Sequence, residues 1–194
     1  GSGLADRYVG VPEQGYGPLI EGLLDGASVV TGMSYQSVAD AFPKIAEHIV
    51  YTGPIDQFFQ YKLGRLEYRS LRFEEEILKQ PDFQGRAIVE CPGEETPYTR
   101  IIEHKHIAGS RSPKTVITRE YPEEWIPGRG LYYPVEDKRN RELYKQYLEL
   151  AKAYPNVTFG GRLGEHRHYD MDEAIAAALD KAGEIVSTPP ASIG

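Results

Sequence analysis

Several absences narrow the function of this 194-residue chain before any motif is read. It has a single cysteine, Cys91, so no internal disulfide can staple it. With no secretory leader pattern either, the expected setting is reducing and cytoplasmic. No apolar run approaches the roughly 20 residues that cross a bilayer, so no membrane association is expected. Basic charge is short as well. Twenty-two Lys and Arg stand against 29 Asp and Glu, a formal net charge of −7, which removes a broad electrostatic footprint for nucleic acid and leaves room only for a local basic pocket holding a small phosphate-bearing ligand. No strand is followed by G-x-G-x-x-G, so the usual pyrophosphate turn of a dinucleotide fold is missing. No period of 20 to 50 residues recurs. Gly1-Ser2-Gly3 reads as a cloning remnant, and residues 187–194 (STPPASIG) read as a frayed terminus.

What remains is an ordinary globular balance, 40% hydrophobic and 26% charged, enough for one core. Residues 18–24 have apolar positions at helical spacing between Gly15 and Gly26, predicting a short helix and then a strand over 28–31. His48-Ile-Val-Tyr-Thr52 predicts a buried strand. Between residues 66 and 121 four extended segments (LEYRSLRFEEEIL, RAIVEC, TRIIEHKHIA and KTVITREY) alternate with Pro/Gly turn chemistry, predicting an antiparallel meander. Residues 140–154 carry Leu143, Tyr147, Leu150 and Ala151 on one helical face and end at Pro155. A strand VTFGG and a helix over 171–182 complete the chain.

The strongest local signal is Gly160-Gly-Arg-Leu-Gly164 running through Glu165-His-Arg-His-Tyr169 into a helix. Asp170 with Glu173 reads as a capping box. Met171, Ala174, Ile175, Ala178 and Leu179 read as a buried stripe, and the helix start suits a phosphate or an electron-rich carbonyl. A plain strand-turn-helix explains the same residues. Arg69, Arg72, Arg100, Arg162 and Arg167 could converge in part on a diphosphate as bidentate donors, or lie on the wet face of a sheet. Two His-x-His pairs, His104/His106 and His166/His168, would share a strand face if extended. With no helical zinc motif and one cysteine, no metal is expected there. Tyr132-Tyr133-Pro134 follows a glycine-rich loop and either offers a phenol to a pocket or anchors the loop.

Four blocks together carry a family resemblance: YTGPIDQFFQYKLGRLEYRSLRFEEE from Tyr51, TPYTRIIEHKH from Thr96, LYYPVEDKRNRELYKQY from Leu131 and FGGRLGEHRHYDMDEAIAAAL from Phe159. In order and spacing, over residues 6–179, they resemble UDP-galactopyranose mutase. The resemblance implies an α+β fold: an antiparallel sheet domain flanked by helices, with a strand-turn-helix remnant of an FAD-binding α/β fold. Residues 4–56 would close a mobile loop and return to the FAD fold, 57–137 would form the substrate sheet domain, and 138–186 would be a helix-strand-helix return. The chain would be the C-terminal part of the enzyme, without the pyrophosphate turn and helical domain.

The activity implied is interconversion of UDP-galactopyranose and UDP-galactofuranose, feeding polysaccharide or cell-wall synthesis. Reduced FAD serves as cofactor through a covalent flavin N5–sugar adduct, and this chain alone would be inactive and flavin-free. The substrate is a UDP-sugar, and a homodimer is left open. By motif, Arg100 and Arg162 resemble the diphosphate-holding arginines and Tyr133 the tyrosine that touches the diphosphate. Arg69 is a further pocket residue, Tyr16 a nucleotide contact and Arg7 the mobile-loop arginine. Gly161, Arg162, Asp170 and Met171 lie on the flavin side. Two departures stand out. His168 replaces a phosphate-contacting tyrosine, and His166 another aromatic, while Val89-Glu90-Cys91 replaces a segment with an asparagine near the nucleotide. A carboxylate beside UDP repels unless paired. Two alternatives stay open: a diverged flavoprotein that takes another nucleotide sugar or only binds, and a His-x-His metal protein.

Overall fold

The structure, a computed structural model, describes residues 10–42, 45–126 and 128–187. The first half holds helices α1 (Tyr16–Leu23) and α2 (Tyr35–Ala41), strand β1 (Ile49–Tyr51), helix α3 (Ile55–Phe58), and strands β2 (Tyr68–Leu78), β3 (Ile88–Glu90) and β4 (Arg100–Glu103). Then come α4 (His104–Ala108), β5 (Thr115–Glu124), β6 (Tyr133–Pro134), α5 (Lys138–Ala151), β7 (Val157–Phe159), α6 (Gly161–Gly164) and α7 (Met171–Ser187). The architecture is α+β, as the sequence implied. The chain divides into two units, one of Leu71–Glu123 with the residues up to Gly32, the other of Met33–Ser70 and Glu124 onward.

In the first unit the strand order is β3-β4-β5-β2. The pairs β3/β4 and β4/β5 are antiparallel, with Glu90 opposite Arg100 and Arg100 opposite Glu120. Side-chain pairs tie β2 to β5: Arg72 Nε to Glu123 at 3.1 Å, the Tyr121 hydroxyl to Glu74 at 2.7 Å, Arg119 to Glu76 at 2.9 Å. Numbers rise on one strand as they fall on the other, so this neighbour is antiparallel too. Ile101, Glu103, Ile117 and Thr115 are the buried face.

The second unit carries the aromatic core. β1 and β7 form a parallel pair, Ile49 opposite Val157 and Tyr51 opposite Phe159. Against them pack Ile55, Leu66, Tyr68, Leu143 and Tyr147. Helix α5 starts at Lys138, two residues before the expected 140, because Asp137 accepts the Asn140 N–H at 2.7 Å, an N-cap bond. It buries Leu143 and Tyr147, four residues apart on one face. The Tyr147 ring stacks on Phe59, with centroids 5.7 Å apart. Its hydroxyl donates to the Gly64 carbonyl at 2.6 Å and accepts the Leu63 N–H at 3.1 Å, so a buried phenol has both partners. Burial of such a ring contributes roughly 1.5–3 kcal/mol.

Four expectations need correction. Residues 28–31 form no strand: Val29 and Val30 are exposed, and no described strand lies alongside to pair with them. The third extended segment stops at Glu103, and HKHIA winds into α4, closed by Gly109 in the left-handed conformation (φ 63°). The sheet is a meander only over β3-β4-β5; β2 sits beyond β5 instead of beside β3. The α7 stripe is inverted, because Met171, Ile175 and Leu179 are 60–68% exposed while Ala174, Ala177, Lys181 and Ile185 form the half-buried side. The frayed terminus expected over 187–194 falls, beyond Ser187, outside the described residues.

Candidate functional site

In the second unit, Arg162 and His168 meet the Tyr133 ring, and Arg69 lies opposite Tyr133 across a strand pair. β6 pairs antiparallel with the start of β2, Arg69 opposite Tyr133, and the Tyr132 N–H donates to the Arg69 carbonyl at 3.1 Å. Residues directly opposite in an antiparallel pair share a face, so Arg69 and Tyr133 project to the same side. The Arg162 guanidinium carbon lies 5.5 Å from the Tyr133 ring centroid, and the His168 ring meets the same phenol edge-on at 4.9 Å. Arg162 is also a strut. Nη1 donates to the Tyr132 carbonyl at 3.0 Å and Nη2 to the Tyr169 carbonyl. The His168 N–H donates to Glu136 Oε1 at 2.7 Å.

Backbone geometry delivers Arg162 to this place. Gly161 turns at φ 73°, a region that disfavours side chains. At Gly164 an added Cβ would lie 2.9 Å from the Tyr51 carbonyl oxygen, so only glycine lets α6 close onto β1. The glycines of GGRLG thus serve a tight return, and Arg162 gains its position from it.

His166 turns away from this cluster. It has φ 46°, is 5% exposed, and packs edge-on to Tyr68 at 5.2 Å. Nε2 lies 3.2 Å from the Glu67 carbonyl, an acceptor only, so that nitrogen carries the hydrogen. Burial lowers its pKa, opposed by the Glu67 bond and the charge of Asp56. Asp56, also buried, is shifted upward by desolvation, although the Leu66 and Gln57 amides hydrogen-bond its carboxylate. Burial also pushes the Tyr51 and Tyr144 phenols up to about 12. These groups belong to the core.

Arg100 lies in the first unit between the two carboxylates its register dictates. Its Nε is 3.3 Å from Glu90 and 3.4 Å from Glu120. Those distances make ion pairs, yet the buried Nε has no hydrogen-bond partner of acceptable direction. The contact is Coulombic attraction and not a directed bond. Glu90 is thereby paired, which removes the repulsion expected of an isolated carboxylate. Tyr16 begins α1 and is 44% exposed; Arg7 lies outside the described residues.

At the start of α7 half of the predicted capping box is formed, Glu173 Oε2 accepting the Asp170 N–H at 3.0 Å. Asp170, Asp172 and Glu173 crowd this end. Three carboxylates oppose a phosphate there, and the Met171 side chain beside them is exposed.

The His-x-His pairs do not share a strand face. His104 Nε2 meets the Thr118 hydroxyl at 2.7 Å, and His106, in the same short helix, faces Asp82 and Glu103. His166 is buried and His168 exposed. The groups that sequence reasoning missed are Glu136 and the carbonyls of Tyr132 and Tyr169. Backbone acceptors have no side-chain signal, so nothing in the sequence could have found the carbonyls. No described helix is long and apolar enough to cross a membrane.

A family model described as UDP-galactopyranose mutase matches residues 4–168. A probable UDP-galactopyranose mutase of Klebsiella pneumoniae is 36% identical over 183 residues, 94% of this chain and 47% of that protein. A UDP-galactopyranose mutase of Mycoplasma pneumoniae is 34% identical, covering 91% and 48%. A dTDP-fucopyranose mutase of Escherichia coli is 31% identical, also over 91% and 48%. The chain therefore spans about half the length of the curated relatives it matches. Among solved structures, reduced UDP-galactopyranose mutase aligns with a TM-score of 0.59 at 11% identity, over 72% of this chain and 41% of that one, a likeness of fold.

Proposed function

The chain belongs to the UDP-galactopyranose mutase family, and on that premise we propose that its full-length protein interconverts the pyranose and furanose forms of a UDP-linked galactose. The observation that supports this reading is the cluster of Arg69, Arg162 and His168 around Tyr133. When the bond from the anomeric carbon to the diphosphate breaks, negative charge grows on the leaving oxygen. Donors already fixed in place stabilise that charge without reorganisation. Arg162 meets the requirement, since two of its five N–H donors are bonded to backbone carbonyls and hold the fork still. Arg69 adds a second guanidinium on the same face, Tyr133 a hydroxyl donor, and His168 a ring N–H donor where the family has a tyrosine.

By motif Arg100 remains a diphosphate arginine in this reading, and its Nε is ion-paired to Glu90 and Glu120. Tyr16 and Arg7 contact the nucleotide side in this reading. The family implies FAD. The residues at the α7 start fit its ring better than its phosphates: Met171 is open, the helix N–H groups can donate to a carbonyl edge, and the carboxylates oppose a phosphate. When bound and reduced, FAD supplies a nucleophile to the anomeric carbon without net redox change. Gly161, Asp170 and Met171 would hold the ring in this reading. A cytoplasmic setting follows from a nucleotide-sugar substrate and a lone cysteine.

Full-length protein with FAD and strong reductant is expected to convert UDP-galactofuranose, and Arg162→Ala to lower kcat/KM by about 100- to 1,000-fold. Absence of conversion by the unmodified protein overturns the proposal. A second reading, a different nucleotide sugar, is favoured by His168 and by the dTDP-fucopyranose mutase among the relatives. A higher kcat/KM for a dTDP-sugar than for the UDP-sugar would select it.

A further inference from the structure

The first unit brings three different metal-ligating side chains to one point. His106 Nε2 stands 3.2 Å from Asp82 Oδ2 and 3.4 Å from Glu103 Oε2, and all three atoms lie within 4.8 Å of one another. Ligands about 2.0–2.1 Å from a tetrahedral Zn²⁺ are separated by about 3.3–3.4 Å along each edge. Two edges of this triangle already have that length. Octahedral Mg²⁺ at about 2.0–2.1 Å needs closer edges, about 2.9 Å, and Ca²⁺ takes oxygen rather than imidazole nitrogen. One nitrogen and two carboxylate oxygens at these spacings therefore suit zinc better than magnesium or calcium.

The ligand atoms are held in position by the other bonds their groups make. Asp82 Oδ1 accepts the Gly85 N–H at 2.6 Å, leaving Oδ2 toward His106. Glu103 Oε1 accepts the Thr115 hydroxyl at 2.6 Å and the Phe83 N–H at 3.0 Å, and Oε2 accepts the Gln84 N–H at 2.9 Å. Glu103 is 0% exposed. Burial alone would raise its carboxyl pKa, but the Thr115 hydroxyl and the Gln84 and Phe83 amides outweigh it and hold the group below the ordinary range, as an anion. Lys105 grips the same turn through the Pro81 and Ser112 carbonyls. Such outer bonds to ligand carboxylates orient them for a metal. Asp82 and His106 are partly exposed, at 48% and 27% of their side chains, so an ion has a way in and a fourth position for water.

We propose that Asp82, Glu103 and His106 form a Zn²⁺ site that fastens the 82–85 turn to the β4–α4 junction, apart from the Tyr133 cluster and its chemistry. The competing description is a single imidazole N–H shared between two carboxylates.

Zinc chloride titrated into the 194-residue chain by calorimetry, after chelation and desalting, tests this. The expected result is one saturable equivalent, weakened at least ~10-fold by Asp82→Asn and lost in His106→Ala. The His106 Nε2 resonance should move on zinc addition in the unmodified chain, a readout that does not depend on how the variants fold. No saturable binding at millimolar zinc, binding unchanged in both variants, or a stationary Nε2 resonance would overturn the proposal.

Discussion

Arg162 illustrates how one residue type serves two demands. As a strut it joins the Tyr132 and Tyr169 carbonyls, and as a cation it sits over Tyr133. Lysine keeps the charge but cannot span both carbonyls with a planar fork. Arg162→Lys is expected to destabilise the chain by about 1–3 kcal/mol, read from urea unfolding, through the carbonyl left without a partner. His166 behaves differently because it is buried as the neutral ring. Its folded pKa lies below its unfolded value, so between the two the unfolded state holds more protons. Its contribution is full above the unfolded value of about 6.5 and is lost as pH falls through the folded one. The urea midpoint should therefore drop on going from pH 7 to pH 5.5, and His166→Phe should flatten that drop. An unchanged slope in the variant would assign the dependence to another group.

At the scale of elements, caps and turns were legible because their chemistry is local. Glu173 within α7 and the glycines of GGRLG both act within a few residues. Strand partners were not, since the alternation that marks β2 and β3 as strands carries nothing about which is adjacent to which. The α7 stripe failed for a related reason. Helical spacing shows that Met171, Ile175 and Leu179 share a face, but not that anything covers it. Because that face is exposed, Ile175→Glu with Leu179→Glu should change the unfolding free energy of this chain by less than about 1 kcal/mol, while improving solubility in a precipitation assay. A loss of several kcal/mol would mean that the face is covered in solution.

For the whole molecule, the comparisons place the chain in a family whose curated members are about twice the length it spans. Its own residues supply a guanidinium and phenol cluster and no glycine fingerprint for pyrophosphate. These 194 residues, purified alone, are therefore expected to carry no stoichiometric flavin, as measured by absorbance near 450 nm after denaturation; a yellow equimolar preparation would refute this. The sequence by itself determined the family, the α+β class, the α5 and α7 helices and the residue types at the candidate site. Those rest on motif order, helical period and capping, all properties of short stretches of chain. Tertiary structure decided that Arg69 and Tyr133 share a face, that Arg162 is braced by carbonyls, that Glu90 and Glu120 flank Arg100, and that His166 is buried in the core while His168 lies exposed against Tyr133. Each of those depends on a register or a close approach between segments up to about a hundred residues apart, and local propensity is silent about such contacts.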